Sequence, residues 1–212
     1  MERGAKMKHD KMISYIRKSY AKRLKKELQR KQISDAESIC EGYRNRFTKY
    51  MKEADFGVNE CKFSSYLNIY SGLAAYEILR EQGMSEQESI AVYDYMCSTL
   101  RKMAGFMYKF VDFFPDSFKL VKKSLLDDLA SEKVVCWDTE LLRNDDSRLE
   151  YRISKCLYYD TCAVHGYPEF TKVFCTHDIY AYGVLKKHTK FERYSTLGEG
   201  GECCHDAFVR VE

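Results

Sequence analysis

"KVVCWDTELLRNDDSRLEYRISKC", residues 133–156, decides the fold class. Upstream of it, apolar residues recur every three or four positions. In its second half they alternate, sending Leu149, Tyr151 and Ile153 one way and Arg152 and Ser154 the other, which is the period of a strand. The polar run from Asn144 to Ser147 supplies turn chemistry, so the stretch reads as two strands of a hairpin.

Downstream, Pro168 suits a first helical turn, and "PEFTKVFCTHDIYAYGVL" reads as one helix. "KFERYSTL", "GEGGE" and "CCHDAFVRVE" then form a second hairpin, with the glycines in its turn. Upstream, "MISYIRKSYAKRLKKELQRK" sets Ile13, Ile16, Tyr20 and Leu24 on one face of a basic helix. Ser34 opens a second helix. A third, "SSYLNIYSGLAAYEILREQG", stops at Gly83. Ser85 and Glu88 make a capping box for a long helix to about Tyr108, and Pro115 separates it from a fifth helix over 116–133.

The expected fold is α+β: an N-terminal helical bundle, then hairpin–helix–hairpin with a small antiparallel sheet. The boundaries are a basic helix at 1–33, a helical region at 34–132, and an α+β region at 133–212 that forms one compact domain with 34–132.

Composition narrows the function classes. Of 212 residues, 45% are hydrophobic and 32% charged, which fits an ordinary globular chain. No stretch approaches the roughly 18 apolar residues of a membrane span, and the charged N-terminus has no apolar core of a secretory signal. A cytoplasmic protein without membrane partners is the expectation. The net charge of +3 conceals twelve Lys or Arg against three acids in residues 1–31. No zinc-finger, RRM or helix-turn-helix pattern accompanies that run, so it reads as a solvated helix face, not as a nucleic-acid site. The amphipathic first helix also offers a surface for a homo-oligomer.

Nine cysteines, an odd number without an export signal, read as reduced thiols. Cys156, Cys162, Cys175, Cys203 and Cys204 fall in the last third of the chain, with four of the five histidines. Cys175 and Asp178 share a helix face, from which the neighbouring His177 diverges toward the surface. On the last strand Cys203 and His205 share one side, and Cys204, Asp206 and Phe208 the other. Thiolate, imidazole and carboxylate serve both zinc binding and nucleophilic chemistry. On spacing alone, plain packing is the commoner fate of a free cysteine. Arg193 reads equally as a bidentate anchor for a substrate carboxylate and as a solvent-facing strand residue alternating with Phe191. "GEGG" lacks the strand–glycine–helix setting of a phosphate cradle and reads as a turn.

A strand ending in Cys156, then "HGYPEF", "FCTHD", "FERYSTLGEGGECC" and a closing aromatic, resembles the L-2-amino-thiazoline-4-carboxylic acid hydrolase family of bacterial proteins. "GMSEQESIAVYDYMCSTL" is similar to that family's helical half, and the ordered set is Cys156, Cys175, Asp178, Arg193, Thr196, Gly200 and Cys204. The C-terminal part also resembles the 4-vinyl reductase ligand-binding domain, a small-molecule pocket that can carry cysteine-bound zinc. Cys204 is followed here by His205 and Asp206 where the family has Asp-Phe, and Cys203 and the basic first helix are additional.

The resemblance implies hydrolysis of a carbon–nitrogen bond in a small cyclic amidine bearing a carboxylate, with Arg193 and Thr196 binding substrate. Two mechanisms follow from it. In one, Cys175 attacks while Asp178 or His177 manages protons. In the other, Cys156, Cys175 and Cys204 hold zinc and activate a water. A non-catalytic domain sensing a small ligand or metal through the same pocket is the alternative.

Overall fold

The computed structural model describes residues 2–57, 59–132 and 136–211. Its contacts divide the chain into two units, one running to Ser98 and one from Thr99. The boundary falls inside a helix.

The first unit contains α1 (Glu2–Arg30), α2 (Ala36–Glu53), α3 (Glu60–Glu81) and the first half of α4 (Glu86–Val111). The basic α1 belongs to this bundle, because Tyr20, Ala21, Leu24 and Leu28 are buried along one side. They join Ile39, Tyr43 and Phe47 of α2 and Ile69, Leu73 and Tyr76 of α3 in the core. Local rules set the helix ends. Asn59 accepts a hydrogen bond from the Lys62 N–H at 2.8 Å. Gly83 takes φ +79° after α3, where a side chain would be strained. The Ser85 hydroxyl accepts from the Glu88 N–H while the Glu88 carboxylate accepts from the Ser85 N–H, a reciprocal capping box.

The second unit holds the rest of α4, α5 (Ser117–Glu132) and a four-stranded antiparallel sheet in the order β1-β2-β4-β3. The strands are β1 (Trp137–Asn144), β2 (Arg148–Cys156), β3 (Thr189–Ser195) and β4 (Cys204–Arg210). Residues 133–135, expected to end the fifth helix and open the first strand, lie outside the described residues. The Asp145 carboxylate closes the first hairpin by accepting from the N–H groups of Ser147 and Arg148. One sheet face carries Leu149, Tyr151 and Phe208, which pack with Phe118, Val121 and Leu125 of α5 and with Leu185.

Between the hairpins the structure departs from the expected single helix. Residues Leu157–Val164 form a short helix, α6, absent from the sequence reading; Pro168–Thr171 is a 3-10 turn; and α7 covers only Lys172–Tyr182. Cys156 takes the extended N-cap position of α6, so the strand turns directly into a helix at a thiol. Asp112, after α4, ties down the entry to β3. Its buried carboxylate accepts from the N–H groups of Lys186, Lys187, His188 and Thr189.

Candidate functional site

The inner sheet face and α7 meet at Arg193. On β3 it is opposite Asp206 of β4, which in turn is opposite Tyr151 of β2. Alternation leaves two faces for Arg193, and the fold selects the inner one, where its side chain is 12% exposed. Nε donates to Asp206 Oδ1 at 2.8 Å and Nη2 to Asp206 Oδ2 at 3.0 Å, a bidentate pair. Nη2 also donates to Asp178 Oδ2 at 2.7 Å, and Nη1 to the Cys175 carbonyl at 2.6 Å. Four hydrogen bonds thus join one strand arginine to its neighbour strand and to α7. They leave the guanidinium little capacity for an external anion.

Cys175 and Asp178 do share a helix face, as their spacing requires, and Arg193 engages both residues. Burial lifts the Asp178 carboxyl to about 6 against the pull of Arg193. Its side chain is still 46% exposed, and water reaching it offsets part of that lift. His177 is not the surface residue expected. Its Nε2 is buried without a hydrogen-bond partner among the described residues, its ring meets Phe174 edge-on at 6.3 Å, and burial with nearby Arg101 lowers its pKa to about 4.

The sulfurs of Cys156, Cys175 and Cys204 lie within one another's electrostatic field, although they come from the end of β2, from α7 and from the start of β4. Each accepts from backbone. The Leu197 N–H reaches Cys204 Sγ at 3.4 Å, the Gly198 N–H points to Cys175, and the N–H groups of Tyr158 and Tyr159 at the start of α6 point to Cys156, as does the Trp137 side chain. Burial nevertheless dominates. It raises all three thiols, Cys175 to about 11 and Cys204 to about 12, so they are protonated at neutral pH.

The β3–β4 connection brings these amides in. Thr196 and Glu199 form a second reciprocal cap, with the Glu199 N–H donating to Thr196 Oγ1 and that hydroxyl donating to the Glu199 carboxylate. Thr196 is 1% exposed and holds the 3-10 turn Leu197–Glu199. Gly200 closes the turn at φ +85°. Gly198 packs against the start of α7: a Cβ there would sit 3.1 Å from Cys175 Sγ and 3.0 Å from the Lys172 nitrogen.

Zinc can be tested against these donors. Backbone N–H groups aimed at sulfur suit thiolate ligands. However, no three His, Cys, Asp or Glu side chains are grouped so as to hold a metal ion among the described residues. As placed, the thiols do not form a coordination site. Sequence reasoning placed Asp206 beside Cys204 without giving it a role, and it missed the amides of Leu197 and Gly198. The available signal for Asp206 was an acid alternating with Cys204 and Phe208 in an otherwise apolar row.

Fold and site together define an α+β protein with one buried and two half-buried thiols gathered between a small sheet and a short helix. Residues 65–208 match the family described as L-2-amino-thiazoline-4-carboxylic acid hydrolase. That match covers more than half of the 212-residue chain, and the chain belongs to this family. No curated protein and no solved structure matches it. Among the described residues, no helix is long and apolar enough to cross a membrane.

Proposed function

We propose that the chain hydrolyses a carbon–nitrogen bond of a small cyclic amidine carrying a carboxylate, with L-2-amino-thiazoline-4-carboxylate the first substrate to test. Family membership over residues 65–208 carries this reading, and the convergence of Cys175 with Asp178 supports it. Cys175 attacks the amidine carbon, and Asp178, three residues on along the same face, takes the thiol proton. Asp178 is given this role over His177 because Arg193 engages it together with Cys175, while His177 Nε2 has no hydrogen-bond partner among the described residues. The Gly198 N–H stabilises the developing thiolate, the proton held by Asp178 passes to the departing nitrogen as its bond to the amidine carbon breaks, and a water then displaces Cys175 from that carbon and returns a proton to the thiol. Arg193 and Thr196 act by position: one fixes α7 to the sheet and the other fixes the turn that supplies the amides. No step is assigned to zinc.

A second reading, a non-catalytic domain that binds the same class of ligand, is favoured by two features: burial holds the thiols above their ordinary range, and Arg193 is committed internally. Incubating purified protein with the thiazoline separates the two. The hydrolase reading expects a product heavier by one water, lost in Cys175→Ala and Asp178→Asn. A thermal shift with this ligand and no product would leave the binding domain standing.

A further inference from the structure

The second half of α4 has two opposite faces. Arg101, Gly105, Tyr108 and Asp112 recur at helical spacing on the inner one; Arg101 and Asp112 are buried, Tyr108 packs on the core, and a Cβ at Gly105 would meet the Tyr180 carbonyl at 2.9 Å. The outer face is apolar and uncovered. Leu100, Met103, Met107 and Phe110 are 50%, 56%, 62% and 58% exposed. Their spacing of three, four and three residues is that of a coiled-coil seam. Phe106 at 74% widens the seam, and Phe113 and Phe114, at 60% and 46%, extend it past the helix end.

We propose that this face is the interface between two copies of the chain, with the α4 seams packed against each other about a two-fold axis. Three observations select a second copy. The seam carries no charge of its own, with Lys102 and Lys109 at its edge, so it needs no complementary charged partner. Coiled-coil spacing makes it complementary to itself, as a two-fold interface must be. Its area is also adequate. A Phe buries about 200 Å² and the whole patch exposes on the order of 800 Å², the share each partner contributes to a standard interface and more than a monomer ordinarily leaves bare.

Sedimentation of the full chain at tens of micromolar is expected to give twice the chain mass, and Met107→Glu and Phe110→Glu are expected to give monomers with unchanged circular dichroism. Both side chains are exposed in the single chain, so these changes leave its core alone. If either variant fails to fold, hydrogen exchange of the unaltered chain serves instead, with amides of residues 99–114 expected to gain protection as concentration rises. A monomeric unaltered chain overturns the proposal. So does a dimer that survives both substitutions, or a monomer that floats with lipid vesicles, which would assign the face to a membrane surface.

Discussion

The two faces of the sheet carry comparable charge clusters and use them differently. On the inner face Arg193 pairs with Asp206, whose side chain is 5% exposed, and reaches across to the Cys175 carbonyl and Asp178 of α7. On the outer face Arg148 bonds Glu150 at 2.6 Å, Glu192 at 3.3 Å and the Tyr194 hydroxyl at 2.5 Å, while His205 meets Glu150 at 2.7 Å. All of the outer partners belong to the sheet itself, and Glu150 and Glu192 keep 19% and 24% of their exposure. The inner cluster therefore joins two strands to α7 around a buried Arg193–Asp206 pair, and the outer one trims a surface already held by backbone ladders. Burial and reach, more than the number of charges, separate a residue that positions chemistry from one that decorates a strand.

Arg193→Met tests this contrast most severely. Removing the cation leaves Asp206 buried and unpaired, and denaturant unfolding should lose about 3–5 kcal/mol. A loss no larger than that of Arg148→Met would erase the distinction.

A pH series comes next. The folded pKa of His177, about 4, lies below the ordinary histidine value of about 6.5. The folded state thus binds this proton less readily than the unfolded chain. The associated stability is complete above about pH 6.5 and is lost as pH falls toward the folded value, by about 3 kcal/mol. His177→Phe should flatten the unfolding free energy across that window, whereas a slope unaltered by the substitution would place the acid sensitivity elsewhere.

Gly198→Ala probes the turn. Its added methyl meets backbone of α7 as well as Cys175 Sγ, and a loss of about 1 kcal/mol is expected, with a changed rate of Cys175 modification by thiol reagents. Unchanged stability and reactivity would mean that the turn yields freely. The smallest effect belongs to Arg148→Met, expected to cost no more than about 1 kcal/mol in the same unfolding assay.

Much of this architecture was legible because it rests on neighbours in the chain. The Ser85–Glu88 capping box and the Asp145 turn are satisfied within four residues, so the residue types suffice to read them. α6 was not legible. "LYYDTCAV" is rich in residues that favour strands, and Cys156 lacks a side-chain oxygen to mark the N-cap. Its helical state comes from tertiary context.

The amino-acid sequence by itself determined the α+β class, the hairpins, the shared helix face of Cys175 and Asp178, and the split of β4 into a Cys204–Asp206–Phe208 side and a His205 side, because period and capping are local properties. Only the tertiary structure decided that Arg193 turns inward, that His177 buries its Nε2, and that amides of the β3–β4 turn reach sulfurs on α7 and β4. Alternation defines two faces without saying which one the core will cover. That choice is made when α5 and α7 pack against the sheet, and the protonation of the thiols follows from it.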